Sequence, residues 1–173
     1  MDLFIPDVYQ KSIYTINYLK LQQSGIRCLI FDLNNTIAPK QVEVPSKELQ
    51  DLFAYLQGLK FKLVILSNAK KSRVAPFKEK LNVDAAFRSG KPKKKKFQRI
   101  LNLYHFQVHE VACIGDEILT DIYGANRMGF TSILVNPISN QENGLTQVSR
   151  FLERFLNRYF IKKNILERGV YYE

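Results

Sequence analysis

At 173 residues, with 46% hydrophobic and 12% aromatic side chains, the chain has the length for one domain with a substantial core and is too apolar for wholesale disorder. No apolar run approaches the length of a transmembrane helix, and Met1-Asp2-Leu3-Phe4-Ile5-Pro6 lacks the basic start and apolar centre of a signal peptide. A net charge of +10, from 26 Lys and Arg against 16 Asp and Glu, favours anionic partners such as phosphorylated molecules, nucleic acid or acidic lipid surfaces, although a merely solvated basic surface carries the same charge.

Apolar spacing alternates between strand and helix along the chain, which predicts an α/β fold with a doubly wound parallel sheet. Tyr9, Ile13, Ile16 and Leu19 fall at helical spacing and predict a helix over about 9–22, closed by Gly25. A first strand follows over about 27–32, with Cys28, Leu29, Ile30 and Phe31 forming the unbroken apolar run of a strand buried on both faces. Pro45 and Ser46 open a helix with Leu49, Leu52, Phe53 and Leu56 on one side, stopped near Gly58. Leu63 to Leu66 reads as a second strand, then a helix over about 71–81 and a short strand near Ala85-Ala86-Phe87. Pro92 suits the first turn of a helix running to about 105. Val111 to Ile114 is the next strand, Asp121 to Met128 a helix and Thr131 to Val135 the last strand. An amphipathic helical tail is expected over about 146–167, with Phe151, Phe155, Leu156 and Tyr159 on one side. The expected organisation is one domain over 1–173, its core at about 25–137. Cys28 and Cys113 both fall inside predicted strands and read as buried thiols, which favours a cytoplasmic location.

Four segments fall at predicted carboxyl ends of strands, where open α/β sheets bind ligands. They are Asp32 with its amide-rich turn, Ser67-Asn68, Lys91, and Asp116 with Asp121. Phosphoryl transfer requires a nucleophile, donors to phosphate oxygens, a fixed positive charge and a metal site. Asp32 can supply a nucleophilic carboxylate, and Ser67 with nearby backbone N–H groups can donate to phosphate. Lys91 can offset developing charge, and Asp116 can hold Mg2+ beside Asp32 with the backbone carbonyl of Asn34 as a third oxygen. Each piece has a plainer reading on its own: a structural aspartate, a turn and helix cap at Ser67-Asn68, a surface lysine, and a helix cap at Asp121. The order and strand-end placement of all four give the pattern its specificity. Neither His105 nor His109 falls near these ends, no His/Cys cluster has zinc spacing, and no glycine-rich nucleotide loop is present.

Asp32, Asn34 and Thr36 after an apolar strand resemble the first motif, Asp-x-Asp-x-Thr, of the haloacid dehalogenase (HAD) superfamily. Leu66-Ser67-Asn68 resembles its second motif, Lys91 its third, and Gly115-Asp116 through Thr120-Asp121 its fourth. Ile5-Pro6-Asp7 to Ile13, the run Gly115-Asp116-Glu117-Ile118-Leu119-Thr120-Asp121 and Asn126-Arg127-Met128-Gly129 narrow the resemblance to the YqeG-type phosphatases of subfamily IIIA, over residues 4–137. The resemblance implies a Rossmann-like core and Mg2+-dependent phosphomonoester hydrolysis through an aspartyl-phosphate. Asp32, Asn34 and Lys91 would occupy the catalytic positions, Ser67, Asn68 and Lys91 would bind phosphate, and Asp32, Asn34 and Asp116 would hold metal, with Thr36 and Asp121 in support. Phosphatidylglycerophosphate phosphatases are related to this subfamily, which makes that lipid a candidate substrate.

The chain departs from the family pattern at Asn34, where a second aspartate is expected to protonate the leaving group and then activate water. An amide cannot exchange a proton this way, although its backbone carbonyl still binds metal. Three readings follow: a slow enzyme, a binding protein on a phosphatase scaffold for nucleic acid or another polyanion, or an introduced Asp-to-Asn change. The intervals from Thr36 to Ser67 and from Ser67 to Lys91 are each filled by one helix and one strand, so no cap domain is expected. The resulting open site suits a bulky phosphorylated substrate, such as a macromolecule or lipid headgroup. Lys93-Lys94-Lys95-Lys96 opposes the dipole of the helix it begins, which favours a role in attracting anions, and Arg150, Arg154, Arg158, Lys162 and Lys163 would extend that surface. Through it the protein could meet nucleic acid or sit peripherally on an anionic membrane.

Overall fold

The computed structural model describes residues 2–139, 158, 160 and 169–173. Among the described residues, six strands form one parallel sheet: β1 (Val8–Gln10), β2 (Cys28–Phe31), β3 (Lys62–Leu66), β4 (Asp84–Ala86), β5 (Val111–Gly115) and β6 (Thr131–Val135). Their order is β1-β6-β5-β2-β3-β4, and every neighbouring pair is parallel. From β2 the chain winds outward through β3 to β4, then returns to β5 on the other side. The junction of β2 and β5 is therefore the switch point at which such sheets open a crevice beyond their carboxyl ends.

Burial on both faces explains the unbroken apolar run in β2. Leu29 and Phe31 enter one core with Phe53 of α2 (Lys47–Gly58) and Phe77 of α3 (Lys71–Leu81), which follow β2 and β3. Cys28 and Ile30 enter the opposite core with Phe97 of α4 (Lys94–Tyr104) and Ala125 of α5 (Tyr123–Met128). Ser46 caps α2 by accepting from the Leu49 N–H at 3.1 Å. Both cysteines are free and buried, and burial pushes the Cys28 thiol up to about 12. No cap interrupts the two intervals named above, and no described helix is long and apolar enough to cross a membrane.

The N-terminal segment departs from its predicted helix. Val8–Gln10 is an edge strand against β6, and helix α1 occupies only Tyr18–Gln23. Ser12 and Thr15 close a local turn, with Thr15 Oγ1 donating to the Ser12 carbonyl and accepting from the Ser12 N–H. Such side-chain bonds compete with helix, and Asn17 starts the helix afresh by accepting from the Lys20 N–H. Ile13 and Ile16 are buried, so their spacing reported burial without helix. Asp7 fixes the strand's position by accepting from the Ser132 N–H at 2.8 Å and its hydroxyl at 3.0 Å. Tyr172 exchanges two backbone hydrogen bonds with Tyr9 and covers part of the outer edge of β1.

Two helix starts also differ. Pro92 precedes α4 rather than opening it, because Lys93 N–H turns back to the Gly90 carbonyl. The segment predicted to start a helix at Asp121 begins instead with a π-helical turn over Ile118–Ile122, before α5. The predicted tail helix over 146–167, with Arg150, Arg154, Lys162 and Lys163, lies outside the described residues apart from an exposed Arg158 and a buried Phe160.

Candidate active site

Strand ends bring the predicted residues together. Asp32 directly follows β2, and its N–H donates to the Ile114 carbonyl of β5, so the sheet ladder itself holds the carboxylate at the switch point. Asp116 directly follows β5 and accepts from the Thr36 hydroxyl at 2.6 Å, which ties the two strand ends together. Lys91 arrives from the turn after β4, and its Nζ donates to Asp32 Oδ1 and Asp121 Oδ1, both at 2.6 Å. The cluster is deeply set: Asp121 is 1% exposed, Lys91 7% and Asp32 9%.

Lys91 pairs with Asp32 and Asp121, and a third carboxylate stands beside them, since one oxygen each of Asp32, Asp116 and Asp121 lies within 4.8 Å of the others. Burial works against the Lys91 charge, but the carboxylates of Asp121 and Asp32 overcome it and hold the ammonium firmly protonated. Burial raises the Asp116 carboxyl well above its usual range, and the neighbouring Asp32 and Asp121 charges raise it further. Asp121 is pushed up to about 7 by burial, against the pull of Lys91 and with Asp32 and Glu117 adding to the rise. Such crowding of hard oxygen ligands with too little positive charge fits a divalent cation.

The second predicted segment divides its labour. Ser67 is buried at the end of β3, and its Oγ accepts from the Ala69 N–H, which leaves its hydroxyl proton to donate elsewhere. Asn68, expected among the phosphate binders, is instead engaged with the third segment: its Oδ1 accepts from the Lys91 N–H and Ser89 hydroxyl, and its Nδ2 donates to the Lys91 carbonyl. The side chain thus fixes the backbone that carries Lys91. Asn34 Oδ1 accepts from Arg73 Nε at 3.1 Å.

Three residues contribute in ways that the motif pattern does not show. Arg73 sits in the first turn of α3, within a basic stretch that masks any individual role. Asn35 takes a left-handed φ of 62° that turns the chain after Asn34, a conformation asparagine tolerates better than most residues and hence a weak sequence signal. Gly115 permits the close approach of Asp121, because a Cβ there would lie 2.2 Å from the Asp121 carboxyl carbon. Gly115→Ala is accordingly expected to push Asp121 off Lys91 and cost about 1–3 kcal/mol, read as a lower midpoint in chemical denaturation.

A parallel sheet with acidic ends at its switch point, a buried lysine between them and no cap among the described residues is the arrangement of a HAD-like hydrolase. Residues 88–143, which span Lys91, Asp116 and Asp121, match the HAD-hydrolase-like family model. The Bacillus subtilis (strain 168) protein called Probable phosphatase YqeG is 31% identical over 151 residues, covering 87% of this chain and 88% of that protein. The chain belongs to the YqeG-type phosphatases of the HAD superfamily. Among solved structures, the 3-deoxy-D-manno-octulosonate 8-phosphate phosphatase of Moraxella catarrhalis, in complex with magnesium, phosphate and its sugar, shares the fold at a TM-score of 0.53 and 17% identity, over 86% of this chain and 99% of that one. A subfamily III A HAD hydrolase from Legionella pneumophila matches at a TM-score of 0.51 and 16% identity, over 79% of this chain and 86% of that one.

Proposed function

We propose that the protein is a Mg2+-dependent phosphomonoesterase that works through an aspartyl-phosphate on Asp32 and releases it slowly. The observation that carries this reading is the Asp32–Lys91–Asp121 chain of ion pairs beside Asp116, at the switch point of the sheet between β2 and β5. Asp32, Asp116 and the Asn34 backbone carbonyl would hold the metal, which would supply positive charge to the phosphoryl oxygens. Lys91 orients Asp32 and neutralises charge on the transferred group, Ser67 donates its hydroxyl to a phosphate oxygen, and Thr36 holds Asp116. Asn68 and Asp121 keep Lys91 in place.

In the first step an Asp32 oxygen attacks phosphorus while the bond from phosphorus to the ester oxygen breaks. The leaving oxygen takes its proton from water, since the Asn34 amide has none to give. In the second step water attacks phosphorus, the bond to Asp32 breaks, and inorganic phosphate leaves with the carboxylate restored. Both steps lack acid–base help, so substrates with good leaving groups phosphorylate Asp32 readily and the intermediate accumulates.

The uncapped site suits a bulky phosphate ester, with a lipid headgroup such as phosphatidylglycerophosphate as the substrate expectation. Exposed Lys93, Lys94 and Lys95 at the start of α4 would draw anions towards Lys91. A pure binding module is the less favoured reading, because it has no use for a buried, mutually oriented Asp32, Lys91 and Asp121.

Mixing the protein with an aryl phosphate and Mg2+ is expected to give a burst of phenolate approaching one equivalent per chain, followed by slow turnover. Asp32→Ala should abolish the burst. Fast linear hydrolysis without a burst, or a burst that survives Asp32→Ala, would remove Asp32 from the nucleophilic role.

A further inference from the structure

Arg73 ties α3 to the segment that carries Asn34. Its guanidinium donates to three acceptors on the segment that follows β2: Nε to Asn34 Oδ1 at 3.1 Å, Nη1 to the Val42 carbonyl at 2.7 Å and Nη2 to the Pro39 carbonyl at 3.0 Å. The guanidinium carbon lies 4.6 Å from the centre of the Phe77 ring, one turn along α3, so the planar group is braced from a second direction. It also lies within electrostatic reach of the Asp32 carboxylate.

An amide side chain has an acceptor end and a donor end, and its chemistry depends on which end faces the substrate. A guanidinium has donors only, so the Asn34 atom facing it is the oxygen. The Asn34 Nδ2 has no hydrogen-bond partner among the described residues, and it is the end left for an incoming oxygen. We infer that Arg73 is a positioning residue that fixes the Asn34 carboxamide so its NH2 donates to the ester oxygen of the substrate. The inference rests on the phosphatase reading above and gives position 34 a task that an amide can perform. A hydrogen bond to the ester oxygen stabilises charge developing there without transferring a proton, which assists phosphorylation of Asp32 and leaves the later water attack unaided.

The three hydrogen bonds also allow a purely structural role, in which Arg73 only clamps the 36–45 segment. A double-mutant cycle separates the two. The single-turnover rate of Asp32 phosphorylation by an aryl phosphate is measured in the unaltered chain, Arg73→Met, Asn34→Ala and the double variant. Arg73→Met is expected to slow the step about 10-fold when Asn34 is present, and less than about 2-fold when position 34 is alanine. KM should change little in either background. Equal losses in both backgrounds would make Arg73 a clamp and overturn the inference. If Arg73→Met does not fold, Arg73→Lys carries the same cycle: it keeps the charge but loses the planar fork of donors, and about a 3-fold loss confined to the Asn34 background is the supporting result.

A second measurement needs no turnover. The side-chain NH2 resonances of Asn34 in the resting protein should move on Arg73→Met or Arg73→Lys, as the amide loses its fixed acceptor bond. Unmoved resonances would overturn the inference even with an intact burst. If the unaltered chain never labels Asp32 while these resonances still respond, the phosphatase reading fails and the orientation of Asn34 by Arg73 stands.

Discussion

Asn34→Asp raises steady-state hydrolysis of an aryl phosphate by an expected 10²–10⁴-fold, about the range that general acid–base assistance contributes. The exchange is nearly isosteric, and Arg73 Nε, which now donates to the amide oxygen, would donate to a carboxylate oxygen in its place. The new carboxyl would give its proton to the leaving oxygen in the first step and accept one from water in the second. Two features of the rates identify the mechanism. The burst should shrink as breakdown of the aspartyl-phosphate catches up with its formation, and the gain should be larger for alkyl than for aryl esters, because poor leaving groups need the proton most. Steady-state and pre-steady-state rates of the unaltered chain, Asn34→Asp and Asn34→Asp with Asp32→Ala settle the matter. An Asn34→Asp chain no faster than the original would mean that position 34 does not face the leaving group.

The sequence carried the site further than it carried the fold's edges, and the reason is physical. Strand ends are marked by short unbroken apolar runs whose burial on both faces leaves one pattern, so the positions of Asp32, Ser67 and Asp116 are legible in the sequence. Helical spacing is less binding for a short segment: Tyr9, Ile13 and Ile16 are all buried, but a strand and a Ser12–Thr15 turn bury them as well as a helix would. Roles that depend on which hydrogen bonds close in space left no trace in spacing. Asn68 resembled a phosphate ligand by position, yet its carboxamide is taken up by residues 89 and 91, brought beside it by the pairing of β3 with β4. Arg73 was one cation among several in a basic segment, and Gly115 was legible as a motif glycine without the contact that explains it.

Lys91→Met tests whether the site is a closed electrostatic cluster, and its expected effect on stability is the largest of any single substitution here. The thioether keeps roughly the length of the lysine stem but leaves Asp32 and Asp121 facing each other with no cation between them. Breaking a buried pair in this way costs about 3–5 kcal/mol, and phosphorylation of Asp32 should fall below detection. In the presence of a chelator the loss should depend on pH with a definite sign. Asp116 and Asp121 already bind protons more tightly in the folded protein than in the unfolded chain, and removing Lys91 takes away what restrains the rise at Asp121. A folded state that holds more protons than the unfolded state loses stability as pH rises, so the Lys91→Met deficit should be smaller near pH 5 and larger near pH 8. Lys91 itself adds no slope there, because its raised pKa keeps it charged below the ordinary lysine range. Adding Asp121→Asn to Lys91→Met removes one of the stranded charges and should recover part of the stability with no return of activity. Denaturant unfolding of the three variants at both pH values measures all of this. A deficit under about 1 kcal/mol at pH 8, or no recovery in the double variant, would mean that water already screens these carboxylates and that the ion-pair chain does not hold the site together.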